Sequence, residues 1–187
     1  MSLISVPVGL YILKKNSIGE RIAKKAEEYL NQNIIEIKEN RGWNNDEFER
    51  KMRMVGWKTG DEWCAYFVNL VLLETFAEMG LGEHVDMVSK LNGSSQHNWN
   101  ILTSGGYVEK GLVRFDHVPR RGDIVFYRKT KDSNKGHVGI VAHTSKLEFT
   151  TIEGNVQDKI SIVKRYTEFN KPQGNLWLLG FIRFQRG

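Results

Sequence analysis

The sequence predicts an α+β domain, with helices gathered in its first half and an antiparallel sheet in its second. Three observations lead there. Up to about residue 91 the apolar residues recur mainly at helical spacing. From residue 123 onward they fall into short β-branched and aromatic runs separated by Gly, Asn, Asp and Lys clusters. Finally, 187 residues normally fold around one sizeable core, and no repeat, low-complexity tract or linker divides this chain. The expectation is one domain over residues 16–187, preceded by an N-terminal extension over residues 1–15.

The extension, MSLISVPVGLYILKK, is apolar but has neither a basic stretch before its apolar part nor a small-residue cleavage site after it. It reads as a strand or docking segment rather than a signal peptide. Ser17 and Glu20 stand in the order of a capping box, and Ile22, Ala26, Tyr29 and Leu30 follow at helical spacing, which predicts a helix over residues 17–31. Residues 36–63 are polar and punctuated by glycine, with a short helix at 47–54, as in a connection folded over a site. From Cys64, the residues Phe67, Val68, Val71, Leu72, Phe76 and Met79 mark a long helix that Gly80 ends. A mixed region follows to about residue 114, with a short helix at 85–91 and a break at Gly105 and Gly106. Strands are predicted at 123–128, 137–143, 147–153, 159–166 and 178–184, connected as an antiparallel meander.

No apolar run approaches the roughly 20 residues that cross a bilayer, so a soluble protein without stable membrane insertion is expected. The net charge of +5 favours polyanionic surroundings such as a cell-wall polymer, but the basic residues are scattered and no nucleic-acid interface is expected. One cysteine allows no internal disulfide and leaves a free thiol. In GDEWCAYFVN that thiol opens a helix, beside unpaired N–H groups and the positive end of the helix dipole. That setting activates a nucleophile, although a lone cysteine is also a common core residue.

A nucleophilic cysteine needs a base, and five histidines compete: His84, His97, His117, His137 and His143. His137 is preferred because it begins a β-run after a polar loop. His143 shares its strand face but stands six residues further on, roughly 20 Å away, so the two cannot serve one thiol. On the next strand Glu153 and Asn155 are two residues apart and point to one side if the strand continues; a carboxylate or amide there can orient the imidazole. Trp43, Trp57, Trp63 and Trp99 are candidates to line a cleft for sugar or peptide. No cofactor is expected: one cysteine without a CxxC or a close histidine pair makes no zinc site, and neither a phosphate-binding glycine loop nor a GxSxG elbow is present.

The blocks GDEWCAYFVN, PRRGDIVFY, GHVGIVAH, TIEGN and LGFIRF, in that order, resemble the CHAP-type members of the papain-like, NlpC-related superfamily, above all small phage-associated lysins. The resemblance covers about residues 20 to 186. It implies a papain-like fold, a cysteine nucleophile, a histidine base and an acidic or amide orienting residue, which carry over to Cys64, His137, Glu153 and Asn155. It also implies hydrolysis of peptidoglycan amide bonds, between muramic acid and the stem peptide or within the peptide. The calcium-binding acidic loop of some relatives is not recognisable in MVGWKTGDEW, so no metal is carried over. A phage endolysin waiting in the host cytoplasm, or a lysin carried in the virion among phage proteins, is the expected setting. The rival readings are a catalytically silent papain-like protein of a phage particle and a cysteine acyltransferase or peptidase acting on protein.

Overall fold

The computed structural model describes residues 17–104, 106–130, 133–146, 148–169 and 171–187. The expected N-terminal extension, Gly105 and Leu147 lie outside them. Helix α1 (Ile18–Leu30) begins where the capping residue predicts, with Ser17 Oγ accepting from the Glu20 N–H at 3.2 Å. The reciprocal half of the box does not form, because the Glu20 carboxylate accepts instead from Arg121 Nε at 3.0 Å. Helix α2 (Asp46–Met54) is capped by Asn45 in the same way. Helix α3 (Cys64–Glu78) ends just before Gly80, whose φ of +67° suits glycine. Its periodic stripe understates its burial: Ala65, Asn69, Leu70 and Thr75 are also buried, so α3 is the central helix of the core.

Helix α4 (Gly82–Val88) starts and ends three residues earlier than expected. Helix α5 (Ser95–Thr103) was not expected, because SQHNWNILT carries little apolar periodicity; its sequence signal is Ser94, whose Oγ accepts from the His97 N–H at 3.2 Å. Among the described residues, no helix is long and apolar enough to cross a membrane.

The second half forms β1 (Val113–Asp116), β2 (Ile124–Arg128), β3 (Gly136–Thr144), β4 (Glu148–Val156), β5 (Lys159–Tyr166) and β6 (Trp177–Phe184). All neighbours are antiparallel, in the order β1-β6-β2-β3-β4-β5. The expected meander therefore holds only from β2 to β5. The last strand folds back beside β2 and gains the short β1, unpredicted, on its outer side. The reason is burial: β2 is buried on both faces, so its free edge needs a partner.

Along β2, Ile124 and Phe126 enter the main core under the helices, whereas Val125 and Tyr127 enter a smaller cluster on the opposite face with Val141, Phe149 and Phe181. The sheet is thus packed on both sides, and α3 lies across β3 and β4. Three of the tryptophans proposed for a cleft are core residues. Trp43, Trp57 and Trp63 are at most 2% exposed, with the Trp43 ring 4.5 Å from that of Trp57 and 5.3 Å from that of Trp63. Trp99 packs on Phe115 and Phe126. The polar 36–63 connection folds these rings in behind the start of α3 and so anchors the helix end that carries the cysteine.

Candidate active site

Cys64 is the first residue of α3 and is 6% exposed. The preceding residue, Trp63, can lie against β4 only because position 154 is glycine: a Cβ there would stand 2.7 Å from the Trp63 ring and 2.8 Å from Phe67 Cβ. Sheet and helix therefore meet at the thiol. On β3, His137 pairs in register with Tyr127 of β2. Two residues on, Gly139 leaves the space that Glu153 of β4 fills, since a Cβ at 139 would come within 2.6 Å of Glu153 Cγ. The two glycines of GHVG and EGN nearest the chemistry are places where a side chain would displace a member of the site.

His137 Nε2 lies 2.7 Å from Glu153 Oε2. The other ring nitrogen, Nδ1, is left free of the carboxylate, and Cys64 lines the same cavity as the ring. Glu153 is fully buried and held from three more directions. Arg165 of β5 donates from Nε to Oε1 at 2.9 Å and from Nη2 to Oε2 at 2.6 Å, and Thr151 Oγ1 donates to Oε1. The Arg165 guanidinium in turn lies 5.0 Å above the Tyr127 ring. Helix α3 and four adjacent strands each contribute one residue to a continuous relay: Cys64, His137, Glu153, Arg165 and Tyr127.

Burial opposes charge on both titrating members, and their partners outweigh it. The His137 ring is pulled down by desolvation but carried up to about 10 by the charge and hydrogen bonds of Cys64 and Glu153. Desolvation pushes the Glu153 carboxyl up, yet its bonds to His137 and Arg165 hold it at about 2. The site at neutral pH is therefore an imidazolium beside a carboxylate. It opens into a cavity of about 260 Å³ whose walls include Glu62, Lys129, Asn155 and Asn175.

Of the four residues singled out in the sequence, the structure joins Cys64, His137 and Glu153. Asn155 lines the cavity but makes no side-chain hydrogen bond among the described residues, so Glu153 alone of the pair holds the ring. The regular alternation that put both on one side is interrupted: β4 is bulged between Glu153 and Val156, and Asn155 has φ +59°. His143 is exposed at the far end of β3 and borders a different cleft. Sequence reasoning missed Arg165. Its one signal is parity: it shares the less exposed face of β5 with Ser161 and Val163, an unusual place for an arginine without a buried partner. Among the described residues no three His, Cys, Asp or Glu side chains gather as a metal site would require.

A family model described as CHAP domain matches residues 56–155, just over half the chain, from the approach to α3 through Asn155. The match contains Cys64, His137 and Glu153, whereas Arg165 lies beyond it. No curated protein and no solved structure matches the chain.

Proposed function

We propose that this chain, which belongs to the CHAP domain family, is a cysteine hydrolase that cuts amide bonds of peptidoglycan, either between muramic acid and the stem peptide or within the peptide. The observation that carries the reading is the Cys64–His137–Glu153 relay opening onto a cavity. Cys64 Sγ attacks the amide carbonyl carbon, and the new S–C bond pushes the carbonyl electrons onto oxygen. The Cys64 backbone N–H, in the first turn of α3, has no acceptor within the helix and is placed to stabilise that oxyanion. His137 donates its proton to the leaving nitrogen as the C–N bond breaks, leaving a thioester. Water then attacks the thioester carbon, His137 takes the water proton, and Cys64 departs as thiolate. Glu153, itself fixed by Arg165, keeps the ring oriented and stabilises its charged form throughout. Asn155 faces the cavity, where it would meet substrate rather than the ring. The resemblance to phage lysins extends the proposal to an endolysin or a virion-carried lysin.

The test is incubation of the purified protein with isolated cell walls and identification of the released termini by mass spectrometry, with Cys64→Ala as control. New N-terminal alanines on stem peptides freed from muramic acid mark an amidase, and new ends within the stem peptide or its cross-bridge mark an endopeptidase. Intact walls together with acylation or cleavage of protein substrates would replace this reading with the acyltransferase or peptidase. Inertness on both would make the chain a silent particle protein.

A further inference from the structure

A cleft of about 710 Å³ lies away from the cysteine. Arg120, Arg121, His143, Arg183 and Arg186 border it, together with Glu20 and Asp123. Both carboxylates are already engaged. Glu20 pairs with Arg121 at 3.0 Å, and Asp123 pairs with Arg183 at 2.7 Å. Arg121 and Arg183 are further neutralised by Glu27 at 2.7 Å and Asp116 at 2.9 Å. Arg120 and Arg186 remain, both exposed and neither in an ion pair among the described residues. Two exposed arginines outside any ion pair among the described residues thus border one concavity whose carboxylates are already paired.

The walls of the cleft are fixed by close packing. The PRRGD turn meets the first turn of α1 through two glycines: a Cβ on Gly19 would stand 2.7 Å from the Arg121 carbonyl oxygen, and one on Gly122 would overlap Gly19. Arg121 also donates to the Ala142 carbonyl at 2.6 Å, which ties the turn to the end of β3. The space is of the size that takes a ligand segment of many atoms rather than one ion. It also sits at the opposite end of β3 from the chemistry: His143 borders it, His137 borders the catalytic cavity, and the six-position step from one to the other spans roughly 20 Å.

We propose that this cleft is a second, non-catalytic binding site for a phosphate-bearing anionic polymer of the bacterial wall, with Arg120 and Arg186 contacting its phosphates. The choice of a wall polymer rests on the proposed function; the anionic character of the ligand rests on the cleft. Guanidinium forks suit phosphate oxygens, and a polymer with repeated phosphates offers the extended anion that the cleft can hold. Engagement here would keep the catalytic cavity roughly 20 Å from the bound polymer and raise the local concentration of the peptidoglycan attached to it.

The test measures co-sedimentation with purified walls in the Cys64→Ala background, so that no hydrolysis occurs. Three proteins are compared: the parent, Arg120→Ala/Arg186→Ala, and a Lys38→Ala/Lys58→Ala control that loses the same formal charge elsewhere on the exposed surface. At about 0.15 M salt the arginine pair should bind intact walls about tenfold more weakly than the parent, with a shallower salt dependence, whereas the lysine control should stay within about twofold. The parent should lose the same affinity on walls stripped of phosphate polymer by hydrofluoric acid. In the active background, the arginine pair should still turn over soluble peptidoglycan fragments at the parent rate. Equal binding by the two double variants, or equal binding of the parent to stripped and intact walls, would overturn the proposal. Inorganic phosphate is the remaining arm: tighter binding of the free ion, phosphate for phosphate, than of the polymer assigns the site to the ion and overturns the polymer. A chain with arginine-dependent wall binding and no hydrolytic activity would sink the proposed function alone.

Discussion

His137 sits between a thiol and a carboxylate in a setting whose burial alone would strip its proton, so the residues around the ring determine its chemistry. Cys64→Ala should abolish wall hydrolysis, and His137→Ala should come close, because it removes both the partner of the thiol and the proton donor for the leaving nitrogen. Dye release from labelled walls, after circular dichroism shows each variant folded, reads both. Glu153→Gln has a more diagnostic effect. With Glu153 in place the ring keeps its proton up to about pH 10, so kcat/KM should fall on an alkaline limb near there. The substitution removes a carboxylate that raises the ring and leaves the Arg165 cation, which opposes its charge. The limb should move toward lower pH, and turnover should drop by about 10² to 10⁴. An unmoved limb would show that Glu153 does not act through the ring. Arg165→Met tests the next link: it leaves Glu153 buried with one cationic partner fewer, which should lower stability by about 3 kcal/mol in chemical denaturation.

At the level of elements, β3 and β4 are built around gaps that the site fills. Gly139→Ala would place a methyl group 2.6 Å from Glu153 Cγ, in the middle of the relay rather than at its edge. The expected outcome is a turnover loss of more than about tenfold with a stability loss of only about 1–3 kcal/mol, the usual cost of overpacking. Gly154→Ala should show the reverse balance, since its methyl would strike Trp63 and Phe67 and loosen β4 from α3 first. Side-by-side measurements of kcat and thermal midpoint distinguish the two. The same elements show what could be read in the chain. Ser17 and the apolar run after Cys64 announce α1 and α3 because capping and burial are local properties with local signals. Helix α5 offered only its capping Ser94, and strand β1 no signal at all. One is a polar nine-residue helix and the other a four-residue edge, and each is held by neighbours distant in sequence. The positions of Cys64, His137 and Glu153 were legible as a helix-opening thiol, a strand-end histidine and an acid on the following strand. Arg165 was not, because its partner lies across a β-ladder whose register no short stretch of sequence displays, and Asn155 was read on a regular alternation that the bulge interrupts.

For the whole molecule, the buried relay makes stability depend on pH from both sides. His137 holds its proton more tightly in the folded protein, at about 10 against an ordinary 6.5. Its contribution is complete below about 6.5 and is lost as pH rises through about 10. Glu153 runs the other way: held at about 2 against an ordinary 4.5, it contributes fully above about 4.5 and loses that contribution as pH falls through about 2. Both contributions are whole only between about 4.5 and 6.5. The Asp123–Arg183 pair at the other end of the sheet titrates as well, so the wild-type curve alone does not isolate the relay. A His137→Gln/Glu153→Gln double variant keeps that pair and removes both titrations at the site. The difference in thermal midpoint, wild type minus variant, should therefore be largest between about pH 4.5 and 6.5 and shrink on either side, more gradually toward alkali because the gap between 6.5 and 10 is the wider one. A difference that grew toward pH 9 would mean that His137 is neutral in the folded protein, and the imidazolium would have to be dropped from the mechanism.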